Sequence, residues 1–279
     1  MKNCSLVILV GGKGTRISKF SKGTPKPLIK FHNISFLDLI LNYYSKFDFK
    51  EIILLAGYKS EFFKKKYHNK FRNFIKIKVI EENKPLGTGG ALSKLKKVIK
   101  NDFLLLNGDS YFEIDLKKIK KIQKRLINIF LIKNINYKSN KKLSSLFIDN
   151  RNKITFSSKS NYMNSGVIYF QKKIFNLFSK KKTFSLEDDF LNKLISKKNV
   201  YGTREKGFFI DIGTPENFQF AKKKIKKILL KPAYFFDRDG VINFDKGYVS
   251  KIKDFKIKPN VLRALKILIK KNYYIFIVT

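Results

Sequence analysis

The chain is poor in the residues on which several chemistries depend. It has no tryptophan, one cysteine and two histidines in 279 residues. The lone cysteine, Cys4, excludes an internal disulfide and suits a reducing compartment. It stands just ahead of the first apolar run and reads as a small packing residue rather than a nucleophile. His32 and His68 lie far from each other in sequence and from any acidic cluster, so neither is assigned a metal or catalytic role. No apolar stretch approaches the roughly 18 residues needed to span a bilayer. The first four residues lead into a short run that ends in glycines rather than at a cleavage site. The expectation is a soluble, cytoplasmic protein with no membrane partner.

Acidic residues are scarce as well: 21 Asp and Glu stand against 61 Lys and Arg, for a net charge of +40. Such an excess invites a nucleic-acid reading. Two features weigh against it. The lysines run along the whole chain together with Asn, Ile, Phe and Tyr, all residues with AT-rich codons. Runs such as Lys222-Lys223-Lys224-Ile225-Lys226-Lys227 have the texture of solvated helix faces. Specific nucleic-acid binding is therefore not expected, although salt-sensitive affinity for polyanions is. A hydrophobic fraction of 43% supports a sizeable core, and the length suits one large domain or two ordinary ones.

What is present is concentrated near the start. Val10-Gly11-Gly12-Lys13-Gly14-Thr15-Arg16 follows an apolar run over 6–10, and Pro25-Lys26-Pro27-Leu28 comes soon after. The glycines let backbone N–H groups approach phosphate oxygens without side-chain obstruction. Arg16 offers a planar fork for phosphate, and two prolines stiffen the segment that carries Lys26. Two familiar phosphate loops fail here. A Walker A loop starting at Gly11 needs Gly and Lys where Arg16 and Ile17 stand. A dinucleotide fingerprint starting at Gly12 needs glycine at Ile17. The pattern that fits is G-G-x-G-T-R followed by P-K-P-L, and in these residues the chain resembles the sugar-1-phosphate nucleotidylyltransferases.

Short apolar runs over 6–10, 51–56, 77–81 and 103–107 alternate with helical patterns over 36–47, 60–67 and 88–99. Alternation of this kind predicts an α/β fold, with a Rossmann-like mixed, mainly parallel sheet. Ligands of such sheets bind outside the carboxyl ends of the strands, where the motifs lie. Beyond residue 128 the texture changes. Strands are expected over 128–132, 143–148, 154–158 and 164–170 in what would be the sugar-binding half. A helix over 185–196 is capped by Ser185, and a strand over 208–212 precedes a helix with Pro215 in its first turn. Lys231-Pro232 then breaks the pattern, dividing the chain into domains over 1–230 and 231–279.

The resemblance implies roles for further residues of the first domain. Glu81 to Ala91 is similar to the family's E-x-P-L-G-T-A-G-A loop, with Gly89 where alanine is usual. That loop faces the base and ribose, which adds Glu82, Pro85, Gly87 and Thr88 to the nucleotide-binding set of Gly11, Gly12, Gly14 and Thr15. Asp109, after a strand in L-L-L-N-G-D, and Asp211, in F-I-D-I-G-T-P, would converge on Mg²⁺, which favours one or two carboxylates plus phosphate oxygens. Asn164 and Gly166 match the N-x-G-x-Y segment at the sugar site, and Glu187 matches the residue that contacts sugar hydroxyls. Lys159 stands where the family places a lysine on the sugar phosphate, although the usual preceding Glu is Ser158 here. Catalysis would fall to Arg16, Lys26, Asp109 and Asp211, by in-line attack of a sugar 1-phosphate on the α-phosphate of a nucleoside triphosphate.

The second domain carries its own resemblance. Tyr234-Phe235-Phe236-Asp237-Arg238-Asp239-Gly240 ends an apolar run in the D-x-D-G core of haloacid-dehalogenase-type phosphatases. There the first aspartate, Asp237, is the nucleophile and the second, Asp239, the general acid and base. Asp245, Gly247-Tyr248-Val249 and Pro259 match the heptose-bisphosphate and histidinol-phosphate branch. Thr279 falls where the second motif of that family begins, and the later lysine and acidic ligands are missing from the sequence. The expectation is an incomplete, truncated HAD-like α/β fragment without phosphatase turnover of its own. Its pairing with the first domain, whose motifs look most like the D-glycero-D-manno-heptose 1-phosphate guanylyltransferase branch, favours GTP and that heptose 1-phosphate as substrates. Glucose or mannose 1-phosphate with another NTP is the enzymatic alternative. A catalytically idle nucleotide-sugar or polyanion-binding protein is the other, against which the intact Arg16, Lys26, Asp109 and Asp211 argue. Base, sugar and oligomeric state, a homo-oligomer included, stay open at the level of sequence.

Overall fold

A computed structural model of the protein describes residues 3–82, 84–133, 145–179, 181–247 and 249–279. The chain divides into two compact units, Met1–Lys222 and Lys223–Thr279. The division falls inside the helix Pro215–Leu229, ahead of the 230/231 boundary marked by Lys231-Pro232.

An eight-stranded sheet organises the first unit. Its order is Tyr201–Glu205, Ile127–Lys133, Tyr162–Phe170, Asp102–Asn107, Cys4–Leu9, Ile52–Ala56, Ile75–Glu81 and Phe71–Arg72. The four strands from Asp102–Asn107 to Ile75–Glu81 run parallel. Tyr162–Phe170 is antiparallel to both of its neighbours, so the sheet is mixed and mostly parallel. The central strands are continuous apolar runs because both of their faces are covered. Leu6, Val7 and Ile8 are 0% exposed, as are Ile52 to Ala56. Val7, Ile53, Leu55 and Leu105 share one core with Leu92, Leu95 and Phe103. Phe103 stacks on Phe170 and Phe175, with ring centroids 5.2 and 5.5 Å away. Each such fully buried side chain contributes about 1.5–3 kcal/mol relative to exposure. Cys4 is buried here, and burial pushes its thiol up to about 12, as befits a packing residue. His68 accepts the Val79 N–H through Nδ1 at 3.1 Å, a structural role.

Several elements differ from the sequence pattern. The helix expected over 36–47 is Phe36–Tyr44. That over 88–99 is Gly87–Ser93, tightening into the 3-10 turn Lys94–Lys97. The 185–196 segment is capped by Ser185, whose Oγ accepts the Asp188 N–H at 3.1 Å, but it runs as a π-helix over Leu186–Leu191 before the α-helix Asn192–Ser196. The strand Tyr201–Glu205 is invisible in the sequence because Gly202, Arg204 and Glu205 interrupt any apolar alternation; pairing with Ile127–Lys133 makes it a strand. The strand expected over 208–212 is Phe209–Asp211. It joins not the large sheet but a two-stranded ribbon with Ser110–Phe112. Of the strand expected over 143–148, Leu146–Ile148 is seen, and residues 143 and 144 lie outside the described residues.

The second unit contains two parallel strands, Ala233–Asp237 and Tyr274–Val278, with the helix Val261–Lys270 between them in sequence. Asp237 pairs with Val278, so Thr279 follows directly beside the end of the first strand. Tyr248 lies outside the described residues.

Candidate active site

Four segments of the first unit converge at the carboxyl ends of the parallel strands. Cys4–Leu9 runs out into the Gly11–Gly14 loop, Ile75–Glu81 into Glu82, and Asp102–Asn107 into Gly108 and Asp109. The ribbon delivers the fourth: Asp211 pairs with Ser110, and the Ile212 N–H donates to the Asp109 carbonyl at 3.0 Å. Register between two short strands thus places two aspartates side by side that are a hundred residues apart in sequence.

Their environments differ. Asp109 Oδ2 accepts from Lys26 Nζ at 2.8 Å. Asp211 is held from three sides, by the Gly213 N–H at 2.8 Å, Asn217 Nδ2 at 2.9 Å and Ser110 Oγ at 3.3 Å. Burial, then the negative charge of Asp109, push the Asp211 carboxyl above its ordinary range, while the Asn217 and Gly213 hydrogen bonds and the Lys26 charge act in the opposite direction. Asn217 sits in the first turn of the Pro215–Leu229 helix, where its N–H meets Thr214 Oγ1 at 3.3 Å as a cap.

Lys26 is positioned by local structure. It opens the 3-10 turn Lys26–Leu28 between Pro25 and Pro27. Its stem lies on Gly14, whose φ of +66° puts the loop in the left-handed region. A β-carbon on Gly14 would stand 3.2 Å from Lys26 Cβ. The glycine loop is packed just as closely elsewhere: a β-carbon on Gly11 would fall 2.8 Å from the Gly57 nitrogen, and the Tyr58 N–H donates to the Gly11 carbonyl at 3.0 Å.

Two cavities share Leu9, Gly12 and Thr88 as a common wall. The larger, of about 420 Å³, is lined by Gly11, Lys13, Tyr58, Glu82, Pro85 and Gly87 among others. Burial raises the Glu82 carboxyl above its usual range, offset in part by the backbone hydrogen bond of Leu86 and by Lys94. The smaller, of about 190 Å³, holds Gly14, Lys26, Asn107, Asp109 and Glu187. Thr88 ties the two together. Its Oγ1 accepts the Leu186 N–H at 2.8 Å and donates to Glu187 Oε2 at 3.2 Å. Burial raises the Glu187 carboxyl despite that bond. Phe184 is threaded into the same loop: its N–H donates to the Leu86 carbonyl, and its carbonyl accepts from Gly89 and Gly90.

The structure therefore brings together Gly11, Gly12, Gly14, Lys26, Glu82, Pro85, Gly87, Thr88, Asp109 and Glu187 as cavity walls, with Asp211 against Asp109. Gly166 lies against the side chain of Asn107, and the Gly166 N–H donates to Asn164 Oδ1 at 2.9 Å, at an irregularity in the pairing of Tyr162–Phe170. Thr15 and Arg16 are exposed on the 3-10 turn Thr15–Ile17, and Lys159 is exposed beyond the strand Ile154–Phe156. None of these three lines either cavity. Asn107, Tyr58, Gly57 and Asn217 are site residues that the sequence reading left without a role. For Asn217 the available signal was its place in the first turn after T-P-E.

Among the described residues no three His, Cys, Asp or Glu side chains cluster as a ready-made metal cage. The Asp109–Asp211 pair nonetheless suits Mg²⁺, which combines one or two carboxylates with phosphate oxygens, and a cationic group already rests on one of its oxygens. Among the described residues, no helix is long and apolar enough to cross a membrane.

In the second unit, Arg238 forks onto Asp239 with Nε at 3.1 Å and a terminal nitrogen at 2.7 Å, and Asn243 Nδ2 reaches the same carboxylate at 2.9 Å. The Arg238 hydrogen bond, ahead of that from Asn243, holds Asp239 below the usual carboxylate range. The Arg238 N–H lies 2.8 Å from Asp237 Oδ1 and 3.0 Å from the Val278 carbonyl.

The family model described as nucleotidyl transferase matches residues 5–228. The D-glycero-alpha-D-manno-heptose 1-phosphate guanylyltransferase of Campylobacter jejuni is 35% identical over 217 residues, covering 76% of this chain and 96% of that protein. The protein of the same name from Aneurinibacillus thermoaerophilus is 32% identical over 227 residues, covering 79% and 97%. The crystal structure of HddC from Yersinia pseudotuberculosis complexed with GMP-PN superposes with a TM-score of 0.67 at 31% identity, over 80% of this chain and 99% of that one.

Proposed function

The chain belongs to the nucleotidyl transferase family, and from that membership we propose that it transfers a guanylyl group from GTP to D-glycero-α-D-manno-heptose 1-phosphate, releasing pyrophosphate. The observation that carries the reading is the Lys26 ammonium on Asp109 in the wall of the smaller cavity, with Asp211 beside Asp109. An ammonium, two carboxylates and a glycine loop close together suit the meeting of two phosphate groups.

In this reading the larger cavity takes the nucleoside and the smaller one the sugar phosphate. Glu82 supports guanine as the base. A carboxylate inside the larger cavity can accept the N1–H and N2–H₂ donors of guanine together, an edge that adenine lacks, and a site built for such donors rejects bases without them. Backbone N–H groups of the Gly11–Gly14 loop would hold the triphosphate. Lys26 would hold the sugar phosphate against its repulsion from the nucleotide, Glu187 would meet sugar hydroxyls, and Asn107 would support that cavity with Asn164 and Gly166. Arg16 is assigned to the leaving phosphates and Lys159 to the sugar phosphate by the family pattern. Asp109 and Asp211 would hold Mg²⁺, which when bound supplies charge neutralisation at the phosphates. A sugar phosphate oxygen bonds to the α-phosphorus, the bond to the bridging oxygen of the β-phosphate breaks, and pyrophosphate departs without a covalent enzyme intermediate. Positioning and fixed charge supply the catalysis.

The test pairs GTP, ATP, CTP and UTP with heptose, mannose and glucose 1-phosphates in the presence of Mg²⁺ and measures pyrophosphate release. GTP with the heptose 1-phosphate is expected to give the highest kcat/KM. Turnover with none of the pairs would remove the enzyme reading.

Residues 231–279 we read as HAD-like α/β structure. Asp237 at the end of a parallel strand, Asp239 two residues on and Thr279 after the neighbouring strand support that reading.

A further inference from the structure

Lys26 and a divalent cation would compete for the same oxygen. The ammonium lies 2.8 Å from Asp109 Oδ2, with the Lys26 side chain 10% and the Asp109 side chain 30% exposed, so the carboxylate stays open to an incoming ion on the face the ammonium does not cover. The approach is built rather than incidental. Pro25 and Pro27 bracket the residue, and Gly14 leaves the stem a track with no side chain in it. The far end of that track opens on the smaller cavity, with Asn107 and Glu187 on its other walls. On the other side of Asp109, Asp211 already takes hydrogen bonds from Gly213, Asn217 and Ser110. Asp109 is thus the member of the pair whose charge is balanced by a side chain that can leave.

We propose that Lys26 is a displaceable stand-in: in the free protein its ammonium keeps the cation position on Asp109, and it gives up that position to a divalent ion only by swinging into the sugar-phosphate cavity. The proposal rests on the nucleotidyl-transfer reading for the identity of the site. Two consequences follow from electrostatics and linkage. A divalent ion alone binds weakly, because it must evict a positive group that then has no partner. A phosphate monoester in the smaller cavity supplies that partner, so each ligand strengthens the other by the same factor. Lys26 then acts first as a guard of the empty carboxylate and afterwards as the clamp on the substrate.

Binding of Mn²⁺ to the full-length protein, followed by electron paramagnetic resonance without nucleotide, tests this directly. For the wild type, saturating heptose 1-phosphate is expected to tighten Mn²⁺ binding at least about fivefold. Lys26→Met is expected to bind Mn²⁺ about tenfold more tightly than wild type with no sugar phosphate present, since the competing state is gone. In that variant the sugar phosphate should add less than about twofold. Lys65→Met, which removes an exposed cation from the helix Ser60–Tyr67, controls for bulk charge and should stay near wild type. Lys26→Gln serves in place of the methionine variant if circular dichroism shows that Lys26→Met does not fold. Mn²⁺ affinity in the Lys26 variant no higher than in wild type or in Lys65→Met overturns the proposal. Asp211→Asn separates the two levels. If it leaves Mn²⁺ binding intact, the ion sits elsewhere, and the assignment of the carboxylate pair falls together with the proposal. If it abolishes binding while Lys26→Met changes nothing, the stand-in role alone is wrong.

Discussion

A methyl group on Gly89 would sit 2.1 Å from Cε2 of Phe184, inside the ring's van der Waals surface. The aromatic ring occupies the space that an alanine methyl would take. Gly89→Ala is expected to destabilise the first unit by about 1–3 kcal/mol, the range for overpacking. Gly89→Ala combined with Phe184→Leu should cost less than the sum of the two single changes. Thermal melting of the three variants measures the coupling, and strict additivity would show that the ring and the glycine are independent.

Asp109→Asn keeps the shape of the site and removes one charge. Pyrophosphate release should fall by at least about 100-fold, the scale seen when one preorganised electrostatic contact is lost. Lys26→Ala should show a comparable loss. Both proteins should stay folded at the assay temperature, because neither side chain belongs to the apolar core. Near-full turnover by either variant would count against the assigned chemistry.

Glu82→Gln replaces a double acceptor by a group that presents one acceptor and one donor. The kcat/KM for GTP should drop by about 5–150-fold, the equivalent of the 1–3 kcal/mol carried by a good bidentate base contact. The value for ATP should change far less. An unaltered GTP to ATP ratio would take base selection away from this residue.

Acid stability should depend on Asp38. Burial acts to raise its carboxyl, but the hydrogen bonds from Lys66 and Ser35 and the charges of Lys66 and Arg72 outweigh burial and hold it below the usual range. Lys66 Nζ stands 2.7 Å from one oxygen and an Arg72 nitrogen 2.6 Å from the other. A carboxyl lowered in the folded state adds stability that is present above its unfolded value of about 3.9 and is lost as pH falls through the folded value. Asp38→Asn should therefore narrow the stability gap between pH 7 and pH 3. Equal slopes in denaturant melts of the two proteins across that window would refute the assignment.

The parts of the site that could be read in the sequence are those whose chemistry is local. Gly11, Gly12 and Gly14 announce a backbone that approaches something closely. The Lys26 motif carries its own stiffening, and apolar runs ending in Asp109 and Glu82 locate the carboxyl edge of a parallel sheet. Ser185 declared its cap through Asp188. The parts that escaped depend on partners remote in sequence. Tyr201–Glu205 is a strand because Ile127–Lys133 offers it a ladder. Asn107 matters because Gly166 and the smaller cavity face it, and Asn217 because a two-stranded ribbon brings Asp211 beneath its helix. Arg16 and Lys159 mark the converse case. Motif matching singles them out, and the fold leaves both exposed and off the cavity walls.

The mutual contact of Gly11 and Gly57 sets a limit on redesign. Two loops from different strands touch through bare backbone at the rim of the larger cavity, so neither position tolerates added bulk, and there is no side chain there to trim. Redesign of this cavity must work instead through its side-chain walls, at Tyr58, Glu82 and Lys84, which can be exchanged.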